Sequence, residues 1–537
     1  MKRFAAIFLA LTVFCAASLH ALNDAGGLAD AAGTAVRRPS DGQCEDRAPL
    51  VGHGLALCPA RMAGEANGSP DAAQSPATQT KTVQTSVEAL DSKGGALEHS
   101  VWGILAVNFK GDTLANLNKG KCMVPASNMK LVTTAAAYLR LGRDYRFNTT
   151  IATDGQIKDS TLCGNLYIIG GGDPLIGDLF SYLPKEDVPF SKWNKILTDN
   201  GIARIEGAVV GDGSYFCGEL RHSDWSTEDE RSKDGVVPSG LTWRGKMGDS
   251  IPDGPLAAAT HFRRWLIANG VVVTGEAMAS QESVVYCTAV RQPLDRHASA
   301  CPAKGGTEPK TAVRQPSDGQ CPDRAPLEGH GGALCLSRTA IVMPDSLTIL
   351  GTAQSATLNH IASIANHQSD NFCAETLLKA IGKSNNGSDD YDTATAALHR
   401  ALSPIGLAGP SAGMRFADGS GLSRKNYLSP EFLVSLLRGM ARSRCYKDYL
   451  HSLPRPGRAD GTLKTRLPKA PSAVKDRIYM KSGSMNGVRC FSGYILPSDG
   501  NSQNTICFSI MVNNYVGSQT KLAPVLDALI LELANEN

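Results

Sequence analysis

The C-terminal end constrains the fold more than any other stretch. "RIYMKSG" (477–483) and "VRCFSGYIL" (488–496) read as consecutive strands, "PSDGNSQN" as a turn, and "TICFSIMVNNY" (505–515) as a third strand. An amphipathic helix follows, with Leu522, Val525, Leu526, Leu529, Ile530 and Leu533 at helical spacing. Upstream, "HSVWGILAVNFKGDTLANLN" (99–118) has the pattern of a hairpin turning near "KGD". Helical texture marks "SATLNHIASIANHQSDNFCAETLLKAIG" (355–382) and "SPEFLVSLLRGMARS" (429–443). Sequential hairpins with helices before and after predict an α+β fold, an antiparallel sheet flanked by helices on both faces.

Between these parts the texture changes. From about Tyr145, short β-like runs alternate with Gly/Asp turns, as in "GNLYIIGGGDP" (164–174) and "IEGAVVGDGSYF" (205–216). The reading is an inserted β-rich region over 145–342, with main-domain parts at 82–144 and 343–537. A repeat complicates both flanks: Thr34–Arg61 and Thr311–Arg338 are near copies, and a degenerate third begins at Thr288. Each copy carries two cysteines at one spacing, Cys44/Cys58, Cys287/Cys301 and Cys321/Cys335. The copies read either as small disulfide-closed modules or as inserts tolerated in surface loops, near 283–340 and in a linker over 22–81. No C-x-x-C pair and no Cys/His set at zinc spacing is present, so neither metal nor cofactor is expected.

Residues 1–21 have the layout of an export signal. Lys2 and Arg3 precede the apolar run Phe4–Ala17, and Ser18 and Ala21 suit a cleavage site. The run is shorter than the roughly 20 residues of a spanning helix, so a soluble periplasmic protein with no stable membrane span is expected. A net charge of +3 points to no nucleic-acid partner.

Chemistry enters at "VPASNMKLVTTAAAYLRLG" (124–142), an apolar helix that opens with Ser127 and carries Lys130. Ser-x-x-Lys also occurs at Ser472 and Ser518, but only Ser127 starts a long apolar helix. Two rarer motifs follow in order: Ser369-Asp370-Asn371, expected roughly 0.1 times by chance in such a chain, and Lys481-Ser482-Gly483, about 0.3 times. A serine hydroxyl needs a base, and a lysine serves only when burial or a second cation lowers its pKa. Hence Lys130 is the candidate base for Ser127, with Lys481 as the second cation. Ser369 is the candidate proton relay, and Asn371 the group that holds Lys130 and the substrate amide. Lys481 and Ser482 suit a substrate carboxylate, Gly483 a close approach of the substrate backbone to the strand, and the N–H groups of Ser127 and Ser484 an oxyanion hole.

Ser-x-x-Lys, Ser-x-Asn and Lys-Ser-Gly in this order resemble the set of the serine penicillin-binding proteins and β-lactamases. The long insertion between the first two motifs is similar to that of class C low-molecular-mass penicillin-binding proteins, the D-alanyl-D-alanine carboxypeptidase/endopeptidases of the penicillin-binding protein four type. "GGGDPLI" (170–176), "DGSGLSRKN" (418–426) and "FSGYILPSDG" (491–500) resemble further motifs of that family. The resemblance implies an all-helical subdomain beside the sheet, peptidoglycan stem peptides as substrates, and acylation by β-lactam antibiotics. It also implies that Asp173 and Arg424 line a pocket for the distal stem peptide. As turn residues, the two also have a purely local explanation. Lys-Ser-Gly stands where Lys-Thr-Gly is commoner, with the hydroxyl kept. The alternatives are a β-lactamase on the same fold and a non-catalytic peptidoglycan-binding module.

Overall fold

The computed structural model describes residues 83–90, 99–177, 188–226, 237–244, 254–281, 340–407, 412–517 and 519–536. The signal-like segment 1–21, the repeat copies and Ser518 lie outside the described residues. In chain order, α1 (Val83–Glu88) precedes the hairpin β1 (Val101–Asn108) and β2 (Thr113–Leu117) and then helix α2 (Met129–Arg140). The middle of the chain supplies β3 (Asn148–Thr153), β4 (Leu166–Gly170), α3 (Pro189–Asp199), β5 (Val209–Asp212), α4 (Gly254–Ala268), β6 (Ala277–Ser280), β7 (Ala340–Ile341) and β8 (Thr348–Gln354). Helices α5 (Leu358–His367), α6 (Asn371–Asn386), α7 (Tyr391–Ala401), α8 (Pro430–Ala441) and α9 (Tyr446–His451) follow. The chain closes with β9 (Ile478–Met485), β10 (Val488–Ile495), β11 (Ile506–Asn513) and α10 (Gln519–Asn535).

The three C-terminal strands and the early hairpin form one antiparallel sheet, ordered β9-β10-β11-β1-β2. The hairpin turns where expected, because Asn108 Oδ1 accepts from the N–H groups of Gly111 (3.0 Å) and Asp112 (2.9 Å). Alternation sends Trp102, Ile104, Phe508 and Ile510 to one face, against Leu526 and Ile530 of α10. Leu105, Val107, Cys507 and Met511 go to the other, in one core with α2 and α5–α9. Both faces are covered, so β11 is buried at every residue.

The inserted region is more helical than its texture predicts. Its six-stranded sheet is mixed, ordered β7-β6-β5-β4-β3-β8, with β4, β5, β6 and β7 parallel. Parallel neighbours need a crossover, and α3 and α4 supply it. Phe190, Trp193 and Leu197 of α3 lie on one buried face. That i, i+3, i+7 spacing was the available signal for this helix. A second, small sheet pairs 156–158, 161–163, 204–205 and 272–273. Where the chain leaves it for β4, β5 and β6 stand Gly164, Gly207 and Gly275. A Cβ on Gly207 would meet Gly164 O at 2.2 Å, and one on Gly275 would meet Gly207 O at 2.2 Å. The three crossings stack backbone on backbone.

Two local expectations are refined. The helical run 355–382 is two helices, broken at Gln368–Asp370. Ser127 sits in a 3-10 turn, Ala126–Asn128, that leads into α2, and Gly142 terminates that helix with φ +88°. Ser472 lies in one helical turn, Ser472–Lys475, and starts no long helix.

Candidate active site

The Ser127 turn is held down from two sides. Val124 N donates to Asn513 Oδ1 (2.8 Å) at the end of β11, and Asn128 Nδ2 donates to Ser492 Oγ (2.8 Å) on β10. Gly483 on edge strand β9 faces the same turn, and a Cβ there would meet Pro125 O at 2.5 Å. The side chain missing at Gly483, expected to make room for substrate backbone, makes room instead for the protein's own backbone at Pro125. Gly421 presses from the other side, where a Cβ would meet Ala126 O at 1.9 Å. Squeezed between them, Ala126 takes φ +47°, a left-handed conformation that costs a non-glycine residue about 1–3 kcal/mol.

Lys130 is fully buried, one turn into the element that Ser127 opens. Its Nζ lies 3.0 Å from Ser127 Oγ, 2.6 Å from Asn371 Oδ1 and 2.7 Å from the carbonyl oxygen of Ser420. The last two atoms only accept. An ammonium here donates to all three oxygens; once it has given up a proton, the amine satisfies the last two with its N–H groups and presents its lone pair to the Ser127 hydroxyl. Asn371 is the first residue of α6. Ser369, two residues earlier, has φ +58° and places Oγ 2.9 Å from Lys481 Nζ. Lys481 also donates to Ser482 O (2.9 Å), and Ser482 Oγ meets Thr462 Oγ1 at 3.2 Å. Five expected residues, Ser127, Lys130, Ser369, Asn371 and Lys481, thus stand in two hydrogen-bonded groups joined through the start of α6.

Burial, then the charges of Lys130 and Arg489, push the Lys481 ammonium well below the usual lysine range. The Lys130 charge is thus one of the causes that disfavour the charged form of Lys481.

The peripheral candidates are less central. Asp173 is buried; its Oδ1 accepts from Leu175 N (2.9 Å), and its charge reaches Cys373 in the first turn of α6. Arg424 is exposed and donates to Asn486 O (3.1 Å) in the β9–β10 turn, past Ser484.

Three residues that carry the geometry escaped the sequence reading. Glu375 accepts from Ser420 N (2.7 Å) and Gly419 N (3.1 Å), and so positions the Ser420 carbonyl under Lys130. Asp418 accepts from Gly421 N (2.8 Å), Asn426 Nδ2 (2.8 Å) and Trp225 Nε1 (2.8 Å). Asn128 is the third. Only the turn-rich "DGSGLSRKN" signalled this loop; a backbone carbonyl has no sequence signature. Among the described residues no cluster of His, Cys, Asp and Glu is placed to hold a metal ion.

The model of the D-Ala-D-Ala carboxypeptidase 3 (S13) family matches residues 83–249 and 336–530. A D-alanyl-D-alanine carboxypeptidase of Actinomadura sp. (strain R39) is 28% identical over 518 residues, with 89% of each chain covered. D-alanyl-D-alanine carboxypeptidase DacB of Haemophilus influenzae is 24% identical over 458 residues, covering 80% of this chain and 89% of its own. The crystal structure of penicillin binding protein 4 from Haemophilus influenzae superposes with a TM-score of 0.60 at 21% identity, over 84% of this chain and 98% of that one. That superposition establishes the fold.

Proposed function

Because the chain belongs to the D-Ala-D-Ala carboxypeptidase 3 (S13) family, we propose that Ser127 is the residue through which it hydrolyses D-alanyl bonds of peptidoglycan stem peptides. The protein is a serine peptidase of that family. The observation that carries the assignment is the Lys130 amine, 3.0 Å from Ser127 Oγ and also within hydrogen-bond distance of two acceptors, Asn371 Oδ1 and the Ser420 carbonyl oxygen.

The neutral amine takes the Ser127 proton as Oγ attacks the carbonyl of the penultimate D-alanine. The N–H groups of Ser127 and Ser484 receive the oxyanion. The proton reaches the leaving D-alanine amine by way of Ser369, whose hydroxyl lies against Lys481. Lys481 and Ser482 bind the terminal carboxylate, and Asn371 the peptide amide. Water then cleaves the Ser127 ester. Penicillins stop the cycle at the acyl-enzyme. Asp173 and Arg424 serve the distal stem peptide. The region 145–342 is an insertion in the main domain, and the pairing of β8 with β3 supports carrying it on to Gln354. Segment 1–21 directs export to the periplasm; no helix among the described residues is long and apolar enough to cross a membrane.

Digestion of purified muropeptides, read by mass spectrometry, tests this. Loss of D-alanine or of cross-links is expected, together with a lasting adduct with fluorescent penicillin, both abolished in Ser127→Ala. Retained labelling in Ser127→Ala refutes the assignment, and steady turnover of penicillin favours the β-lactamase alternative.

A further inference from the structure

The middle residue of the Ser-Asp-Asn motif has no part in the chemistry above, yet it is one half of a nearly buried ion pair. Asp370 Oδ2 lies 2.7 Å from Arg244 Nη2, with side-chain exposures of 14% and 15%. Arg244 comes from the inserted region, and its backbone is fixed there. Its N–H donates to Ile176 O (2.9 Å), and it bridges Gly177, where a Cβ would meet Arg244 O at 1.9 Å. Its other guanidinium nitrogen, Nη1, donates to Pro174 O (3.3 Å), the carbonyl next to Asp173, and lies 3.9 Å from Cys373 Sγ. The ring of Phe372 lies 4.7 Å from the guanidinium carbon.

We propose that Arg244 is a positioning residue shared by two parts of the site: one nitrogen holds the Ser369–Asn371 motif through Asp370, and the other holds the Gly-Asp-Pro turn through the Pro174 carbonyl. Asp370 is committed twice, because its Oδ1 caps α6 by accepting from Cys373 N (2.7 Å). With both oxygens fixed, the peptide between Asp370 and Ser369 has little freedom, and Ser369 is kept left-handed with Oγ on Lys481. Burial alone would raise the Asp370 pKa, but the Arg244 charge and hydrogen bond outweigh it and hold the carboxyl below its usual range. The pair therefore stays ionised wherever the enzyme works. The inference rests on the reading of Asp173 as a stem-peptide contact. It adds that recognition at the turn and acylation at Ser127 share one cation.

Penicillin lacks the distal stem peptide and a muropeptide has it, so the two probes separate the arms. In Arg244→Lys an ammonium still faces Asp370 but does not span to Pro174. Penicillin acylation should fall less than ~3-fold, while muropeptide kcat/KM falls ~10-fold or more, mostly through KM. In Arg244→Gln the Asp370 charge is stranded, and acylation should fall ~30-fold. Adding Asp370→Asn should restore most of the acylation but not the muropeptide KM. Equal losses with both probes in Arg244→Lys, or unchanged acylation in Arg244→Gln, overturn the proposal. If Arg244→Gln does not fold, the lysine variant and the double variant decide. The Ser127→Ala control reads the proposed function separately: labelling that survives there refutes the nucleophile, whatever the Arg244 variants do.

Discussion

Lys130 and Lys481 divide one problem between them. Each is fully buried, and each sits against a serine hydroxyl of a different motif. Removing one cation lets the other hold its proton to higher pH. In Lys481→Met the acid limb of the acylation pH–rate profile should move up by ~1–2 pH units, measured by stopped-flow with a chromogenic β-lactam. An unmoved limb would mean that the lysines do not titrate together. Glu375 offers a stability counterpart. Burial, then the charge of Asp418, raises its pKa to about 8. Between about 4.5 and 8 the folded chain keeps a proton that the unfolded chain has lost, so the contribution to stability is full at the acid end and is lost as pH rises through the window. Glu375→Gln keeps an oxygen for the Ser420 N–H and cannot titrate. The fall in thermal midpoint between about pH 6 and pH 8 should therefore shrink in the variant, and an identical slope would contradict the assignment.

Elements were legible where their pattern ran undisturbed. The strands at 478–513 are short runs separated by turn residues, the last helix repeats at 3.6, and both stand where the pattern puts them. The break at Ser369 was invisible because helical spacing continues on both sides of it; only Ser369's positive φ shows why α5 cannot run into α6. The parallel crossovers were missed because α3 and α4 alternate with strands of only two to five residues, too short for a period. The site divides in the same way. Side chains with rare chemistry stood out in three motifs, whereas the Ser420 carbonyl and the Glu375 carboxyl beneath it look like any loop and any helical glutamate. The glycines between the two inserted sheets are testable at this scale. In Gly207→Ala the new Cβ runs into a backbone oxygen that cannot swing aside, so a loss of about 2–4 kcal/mol is expected in denaturant unfolding. The fraction of Ser127 labelled per folded molecule should stay constant. A midpoint unchanged from wild type would mean that the crossings do not stack.

At the scale of the molecule, the inserted region reaches past its own sheets to brace the catalytic loop. Its segment 217–225 is gripped at one end by α6 and the residues after it: Asp389 accepts from the N–H groups of Cys217 (3.0 Å) and Gly218 (3.1 Å), and buried Lys379 donates to Glu219 O (2.6 Å). At the other end Trp225 donates to Asp418, whose loop delivers the Ser420 carbonyl to Lys130. Trp225→Phe keeps most of the buried ring and removes the donor, which should cost about 1–3 kcal/mol. If the segment only contributes stability, any equal loss in the inserted region would act alike on catalysis. Trp265→Phe is the control, since Trp265 is partly buried and stacks on Phe262 against the region's own core. The brace predicts that Trp225→Phe slows penicillin acylation ~3–10-fold while Trp265→Phe, at matched thermal midpoint, does not. The tryptophan would be acting on Lys130 through one carboxylate and one carbonyl, and equal rates in the two variants would reduce the inserted region's contact with the loop to packing.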